Sequence, residues 1–400
     1  MPAATVTVTN PGIAAPADNL VKNVENIFQI DLDQGKAVMN QAGVDPGTQH
    51  VVLPETVNYG MYNLPIDVYA CTSAFNALAG QPITYVDMSK VKPVADHTPV
   101  EHDFAVLESG LYPANSPFEG LSNSTLLFLP KQNIATTKTN VLHYDEETES
   151  YKTAQYALKD DAQLKVEVPI DFVADKVSYD RVFRNFTDGY ATVMLPFGVP
   201  TGAVESDGQV VGGDFFTCTG ITANCQCAVM SMVTDDFTQP NTPYIYKMAA
   251  DNAPLRMGEG TVQVKATTGI AAPQTAALSQ DQVTLIGTYE RLDFTDENNA
   301  GCYGYARYAQ GNYDAGAFVP FAAGAYVPAC RAFLYVPDAA VPAASKPNQL
   351  LLSFDDQSTG ITSLPATTSA ATGKLYNLAG QRVAAGYHGI VIRDGKKVKQ

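Results

Sequence analysis

The sequence predicts a mainly β protein, built from one or more antiparallel β-sandwich domains. A short helix near 65–78 and a small C-terminal β-hairpin unit are expected with them. Three observations carry this reading. Runs of aromatic and β-branched residues recur along the chain, and such residues pack well on a pleated surface. Gly- and Pro-rich turns separate those runs, as in a sandwich. One run, 163–170, alternates strictly, with Leu164, Val166, Val168 and Ile170 on one side and Gln163, Lys165 and Glu167 on the other. That is the signature of a half-buried antiparallel strand.

The elements follow in order. Thr5 to Thr9 alternate as a strand and then break at Asn10-Pro11-Gly12. Residues 27–32 read as a strand, because Ile27, Gln29 and Asp31 alternate against Phe28, Ile30 and Leu32. A short helix capped by Asp18 competes for this region. At 65–78, Pro65 suits a first helical position. Val68, Cys71, Phe75 and Leu78 then share one helical face. Residues 82–87 return to strand composition. Further strands are expected at 126–129, 227–233, 244–248, 261–265, 282–289, 332–336 and 350–354.

The runs 177–186 and 190–197 flank Asp188-Gly189. That pair suits a tight reversal, so a central hairpin is expected there. Its core face should carry Leu195 and Phe197. One internal echo joins the stretch from Thr5 to Pro16 with that from Thr261 to Pro273; both end in Gly-Ile-Ala-Ala-Pro. It reads either as equivalent strands of two related β-domains or as coincidence.

Composition narrows the function. The chain has 400 residues, of which 46% are hydrophobic, enough for two or three domains with a sizeable core. No apolar run approaches the ~20 residues that span a bilayer. The N-terminus has neither the basic start nor the apolar segment of a signal peptide. That fits an exported chain already trimmed, or a cytosolic one. The net charge of −16 argues against nucleic acid as a partner. Residues 374–400 depart from this balance, with six basic residues against one Asp. A Ser/Thr-rich linker, 355–373, precedes them. The expected organisation is a mixed, mostly β region at 1–90, a sandwich module at 91–354, the linker, and a β tail at 374–400. Asp394-Gly395 predicts a hairpin in a three-stranded tail.

The tail carries the most specific motif. Tyr376-Asn377-Leu378, Gly380-Gln381-Arg382-Val383, Gly389-Ile390-Val391-Ile392 and Gly395-Lys396-Lys397-Val398 stand in one short segment. This pattern resembles the C-terminal segment of secreted and surface proteins of Bacteroidota-type bacteria, as a short relative of the type IX secretion sorting domain. Val391 stands where that pattern has Tyr. Tyr179-x-Arg181, the run from Thr192 to Phe197, Asn241-Thr-Pro-Tyr244 and Gly287-Thr-Tyr289 resemble landmarks of the domain that precedes such tails. The resemblance covers about 80–400 and implies location at the cell surface and architecture more than activity; a structural or adhesive role is expected.

Candidate sites were weighed against plainer readings. Asp96, His97, Glu101, His102 and Asp103 form either a metal loop or a solvated polar loop. Asp31-Leu-Asp-Gln-Gly35 starts like a calcium loop, but Lys36 and Ala42 then occupy the positions of the turn Gly and the bidentate Glu. Asp293, Asp296 and Asn298 are the candidate calcium ligands; an acidic turn is the alternative. Tyr303, Tyr305, Tyr308 and Tyr313 form a candidate ligand-binding face, with Tyr326 nearby; strand packing is the alternative. No catalytic motif stands out, although paired carboxylates leave a glycan hydrolase open. The six cysteines are even in number. Cys218 with Cys225 or Cys227, and Cys302 with Cys330, are candidate disulfides; buried thiols are the alternative. The expectation is a secreted or surface-displayed module without catalytic activity, meeting an extracellular or cell-surface partner, protein or glycan. A carbohydrate-binding protein using the Tyr-rich loops is the alternative.

Overall fold

The computed structural model describes residues 7–9, 28–33, 35–39, 50–66, 83–91, 124–131, 138–161, 165–183, 189–206, 208–250, 253–257, 261–270, 282–309, 311–338, 340–341 and 346–354, together with the tail strands. The protein is mainly β, and no α-helix occurs among the described residues. Among them no helix is long and apolar enough to cross a membrane. The chain divides into two units, 1–355 and 356–400.

The first unit holds several sheets. The largest has eight strands, in the order Thr7–Thr9, His50–Val52, Tyr85–Asp87, Leu126–Phe128, Val141–Asp145, Ser150–Thr153, Phe172–Ala174 and Val262–Val264. It is mixed: the second to fifth strands run parallel to one another. The buried run Leu126–Phe128 fits this, since a parallel strand is covered on both faces and so reads as continuously apolar. Strands from 1–90 and from 91–354 share this sheet. The echoing segments supply its two edge strands, Thr7–Thr9 and Val262–Val264, and so belong to one sheet and not to two domains.

A six-stranded sheet pairs Tyr190–Val193, Tyr244–Met248, Gln209–Ile221, Cys227–Met232 and Leu351–Phe354 in that order, with Gly202–Ser206 on the long strand. Period-2 alternation divides its side chains between two cores. Tyr244, Tyr246 and Phe215 enter the main cluster, and Ile245 and Phe216 a second one. This sheet is therefore buried on both faces. A four-stranded sheet, Thr284–Thr288, Arg331–Tyr335, Cys302–Tyr305 and Phe318–Pro320, contributes to the second cluster through Leu285, Leu334 and Phe318.

Several expectations need correction. Among the described residues the two runs of the expected central hairpin do not pair with each other. Val177–Asp180 pairs with Tyr156–Lys159 and Leu255–Met257, whereas Tyr190–Val193 pairs with Tyr244–Met248. A side chain joins the two runs instead: Arg181 Nη1 donates to the Thr192 carbonyl at 2.7 Å. Leu195 and Phe197 are buried as expected, but Met194 before them and Pro196 between them are buried too. The segment is thus covered on all sides, beyond the end of its strand.

The run 163–170 joins no ladder over its described part. Val166 and Val168 are buried, yet their N–H groups donate to the Tyr289 carbonyl and the Thr267 hydroxyl. Ile170, expected beside them, is 38% exposed. Pro65 ends the strand Tyr62–Pro65, opposite Thr56, and does not open a helix; residues 67–78 of that expectation lie outside the described residues. The five described cysteines are free thiols. Cys302 and Cys330 sit in different core clusters, so packing keeps them apart. Burial pushes both thiols up to about 12, and Cys218 to about 11. Cys71 lies outside the described residues.

The second unit holds a four-stranded sheet, ordered Arg382–Val383, Leu375–Asn377, Ile390–Arg393 and Lys396–Lys399. Three strands were expected; the fourth is the short Arg382–Val383. The strands on either side of 394–395 pair antiparallel as expected, with Arg393 opposite Lys396.

One polar cluster ties the eight-stranded sheet to the 165–168 segment. The half-buried Glu167 accepts from the Thr84 hydroxyl at 2.9 Å, pairs with Lys165 Nζ at 2.8 Å, and lies 3.3 Å from His50 Nδ1. His50 stacks on Tyr85 at 4.8 Å. Burial raises the Glu167 pKa, but the hydrogen bonds and charges of His50 and Lys165 outweigh it and hold the group at about 2. The folded value lies below the unfolded one, so the carboxylate stabilises the fold above the unfolded value of about 4.3. That contribution is lost as pH falls from about 4 towards about 2. Glu167→Gln should flatten the acid limb of the melting temperature across this window. An acid limb identical to that of the parent protein would refute the assignment.

Candidate functional site

Three arginines from distant parts of the chain line one cleft of about 390 Å³. Arg181 follows the strand Val177–Asp180. Arg307 lies two residues beyond Cys302–Tyr305, and Arg331 opens Arg331–Tyr335. Six of the chain's eight arginines precede residue 355, so half of those six share this wall. Thr192, Tyr305, Phe321, Tyr326, Val327 and Pro328 are among the other lining residues.

Packing holds the arginines in place. Arg181 is 5% exposed, its guanidinium 4.6 Å from the Phe183 ring centre and bonded to the Thr192 carbonyl. The Thr192 hydroxyl accepts the Ala332 N–H at 3.2 Å, which links two sheets behind the cleft. Arg331 Nη2 donates to both Asp160 oxygens, at 2.7 and 2.9 Å. Tyr179 also donates its hydroxyl to Asp160, at 3.0 Å. A wall of the cleft requires Gly304: a Cβ there would stand 2.4 Å from the Phe321 ring.

The electrostatics are those of crowded cations. Burial, and then the charge of Arg331, lowers Arg181 to about 9, still protonated at neutral pH. The same two causes, in the same order, lower Arg307. Asp160 is the acid that faces the set. Two buried donors, Arg181 Nε and Arg331 Nη1, have no hydrogen-bond partner among the described residues. Unmet buried donors on charged groups are costly.

The sequence-predicted residues divide. Tyr305 and Tyr326 line the cleft. Tyr303 does not: it is 3% exposed, sits in the second core cluster and donates its hydroxyl to the Pro347 carbonyl, so it is packing and not a binding face. Tyr308 is 59% exposed and Tyr313 half-buried, both outside the cleft lining. Asp293 is gripped by Arg291 at 2.7–3.1 Å, and the Arg291 guanidinium lies 3.9 Å from the Tyr326 ring centre. Asn298 closes its own loop, accepting the Thr295 N–H at 2.7 Å and donating to the Asp293 carbonyl at 3.2 Å. Asp296 is exposed. Among the described residues no three His, Cys, Asp or Glu side chains gather at one point. Asp31 ends the strand Phe28–Asp31 opposite Lys36, which opens its antiparallel partner Lys36–Met39. The cluster from Asp96 to Asp103 lies outside the described residues.

The arginines were the residues that sequence reasoning missed. Arg181 appeared only within a landmark, and Arg307 and Arg331 carried no motif. Their scarcity in an acidic chain was the available signal. Fold and site together define a multi-sheet β protein with a cationic, aromatic-walled cleft. No family model, curated protein or solved structure matches the chain.

Proposed function

We propose that the chain is a secreted or surface-displayed β module that acts by adhesion, without catalytic activity. Its body meets an extracellular or cell-surface partner, protein or glycan, and its tail serves as a sorting signal. The observation that carries this reading is the division of the chain into two units: a basic unit, 356–400, whose four strands pair only with one another, and an acidic body with its own cores. The likeness of the tail to type IX sorting segments supports it. Carbohydrate binding is the second reading, favoured by Tyr305 and Tyr326 beside the arginine cleft.

Deleting 374–400 tests the proposal. The body should keep its melting temperature within about 2 °C, because its cores are internal to it. Display on the native host should be abolished. A truncated protein displayed as efficiently as the full chain would sink the sorting role. A large fall in melting temperature would make the tail part of the folded body.

A further inference from the structure

We propose that the Arg181–Arg307–Arg331 cleft binds an acidic saccharide, a sugar bearing a carboxylate or sulfate group. The proposal rests on the reading of the body as a binding module and names its ligand class.

Charge is the first argument. Three guanidinium groups line the cleft of an acidic protein, and Asp160 is bonded to one of them, Arg331. Guanidinium is the side chain best matched to flat or tetrahedral oxyanions, since its N–H groups form a fixed fork. Arg181 and Arg331 come from different elements and both line the cleft. Each carries one buried nitrogen, Arg181 Nε and Arg331 Nη1, without a hydrogen-bond partner among the described residues. Arg331 spends its Nη2 on Asp160.

Shape and lining are the second argument. The cleft volume lies within the usual range for small-ligand sites, roughly 300–1,000 Å³. It exceeds what a bare inorganic anion needs. Tyr305, Phe321 and Tyr326 supply apolar faces with hydroxyl groups at two of them. Such amphipathic walls suit a sugar ring, which is apolar on its C–H faces and polar at its rim. Arg291 packs against Tyr326 and steadies that wall.

Calorimetric titration of the full chain at low salt tests the proposal. The probes are an oligogalacturonate, a sulfated oligosaccharide, a neutral oligosaccharide of equal length, a polyglutamate peptide and inorganic sulfate. At least one acidic saccharide should bind at least tenfold more tightly than the neutral one, equivalent to about 1.4 kcal/mol. Which of the two binds better identifies carboxylate or sulfate as the group recognised. Raised salt should weaken the binding. Arg331→Lys, which keeps the charge but loses the fork, should weaken it at least tenfold while the circular dichroism spectrum stays that of the folded protein. Tyr308→Ala, outside the cleft, should leave it unchanged.

Equal binding of neutral and acidic sugars would overturn the proposal while leaving the carbohydrate reading standing. Binding of polyglutamate alone would overturn it while leaving the adhesive reading standing. Sulfate ion bound as tightly as any saccharide would reduce the site to an anion hole and overturn it as well. Absence of binding to every probe also overturns it, and the display experiment then decides the broader reading separately.

Discussion

Phe197→Ala is expected to cost about 3–5 kcal/mol of folding stability. The ring is fully buried in the main cluster and meets Tyr156 edge-on at 5.8 Å. Tyr156 in turn meets Phe172 at 5.2 Å, so a cavity at 197 opens beside two further rings. The backbone of Phe197 also bridges Val264, the edge of the eight-stranded sheet. Relaxation into the cavity would therefore have to move a sheet edge. Denaturant unfolding measures the loss. A change below about 0.5 kcal/mol, typical of surface sites, would mean that the ring is not part of the core.

Gly213→Ala should be at least as damaging, about 4 kcal/mol or more. Gly213 lies in the middle of the long strand Gln209–Ile221, at φ +156°. A Cβ there would stand 2.1 Å from the Lys247 carbonyl oxygen, 2.8 Å from the Tyr246 ring and 2.9 Å from the Ala249 nitrogen. Two of those three atoms are backbone and cannot rotate away. Gly220 in the same strand has φ +155°, yet a Cβ on it would meet nothing within 4 Å. Gly220→Ala therefore isolates the cost of the backbone conformation, about 1–3 kcal/mol. The difference between the two variants is the cost of the clash. Equal losses would show that strain, and not the approach of Lys247, governs both.

Strand existence was legible wherever the signal is local. Tyr244–Met248 was expected with its observed bounds, and 227–233, 284–288 and 351–354 were found to within a residue or two. These runs carry β-branched and aromatic residues between Gly and Pro breaks, so neighbouring residues suffice to select an extended backbone. The burial of Leu195 and Phe197 was legible for the same reason. The failures share a different cause. The segment 163–170 has faultless alternation, but its N–H groups find a distant carbonyl and a hydroxyl, not a ladder. Pro65 satisfies a helix rule and a strand-end rule equally, and its place opposite Thr56 decides between them. The candidate site was less legible still. Of the tyrosines named, Tyr305 and Tyr326 line the cleft, while Tyr303, two residues from Tyr305 on the same strand, is buried in the second core cluster against which Tyr305 also packs.

What the sequence by itself determined is the class of the protein, the places where strands form, much of what is buried, and the charge contrast between body and tail. Propensity, alternation and turn chemistry act over two to eight residues, and each is written in the local order of side chains. Tertiary structure decided which strands pair, and hence that 177–180 and 190–193 lie in different sheets. It also decided that Arg181, Arg307 and Arg331 share a cleft. Pairing is settled by competition among partners distant in sequence, where total burial and hydrogen bonding outweigh the short loop that favours a hairpin. A turn as good as Asp188-Gly189 makes a hairpin cheap to close. It does not make that hairpin the best use of two strands whose apolar faces are better covered elsewhere.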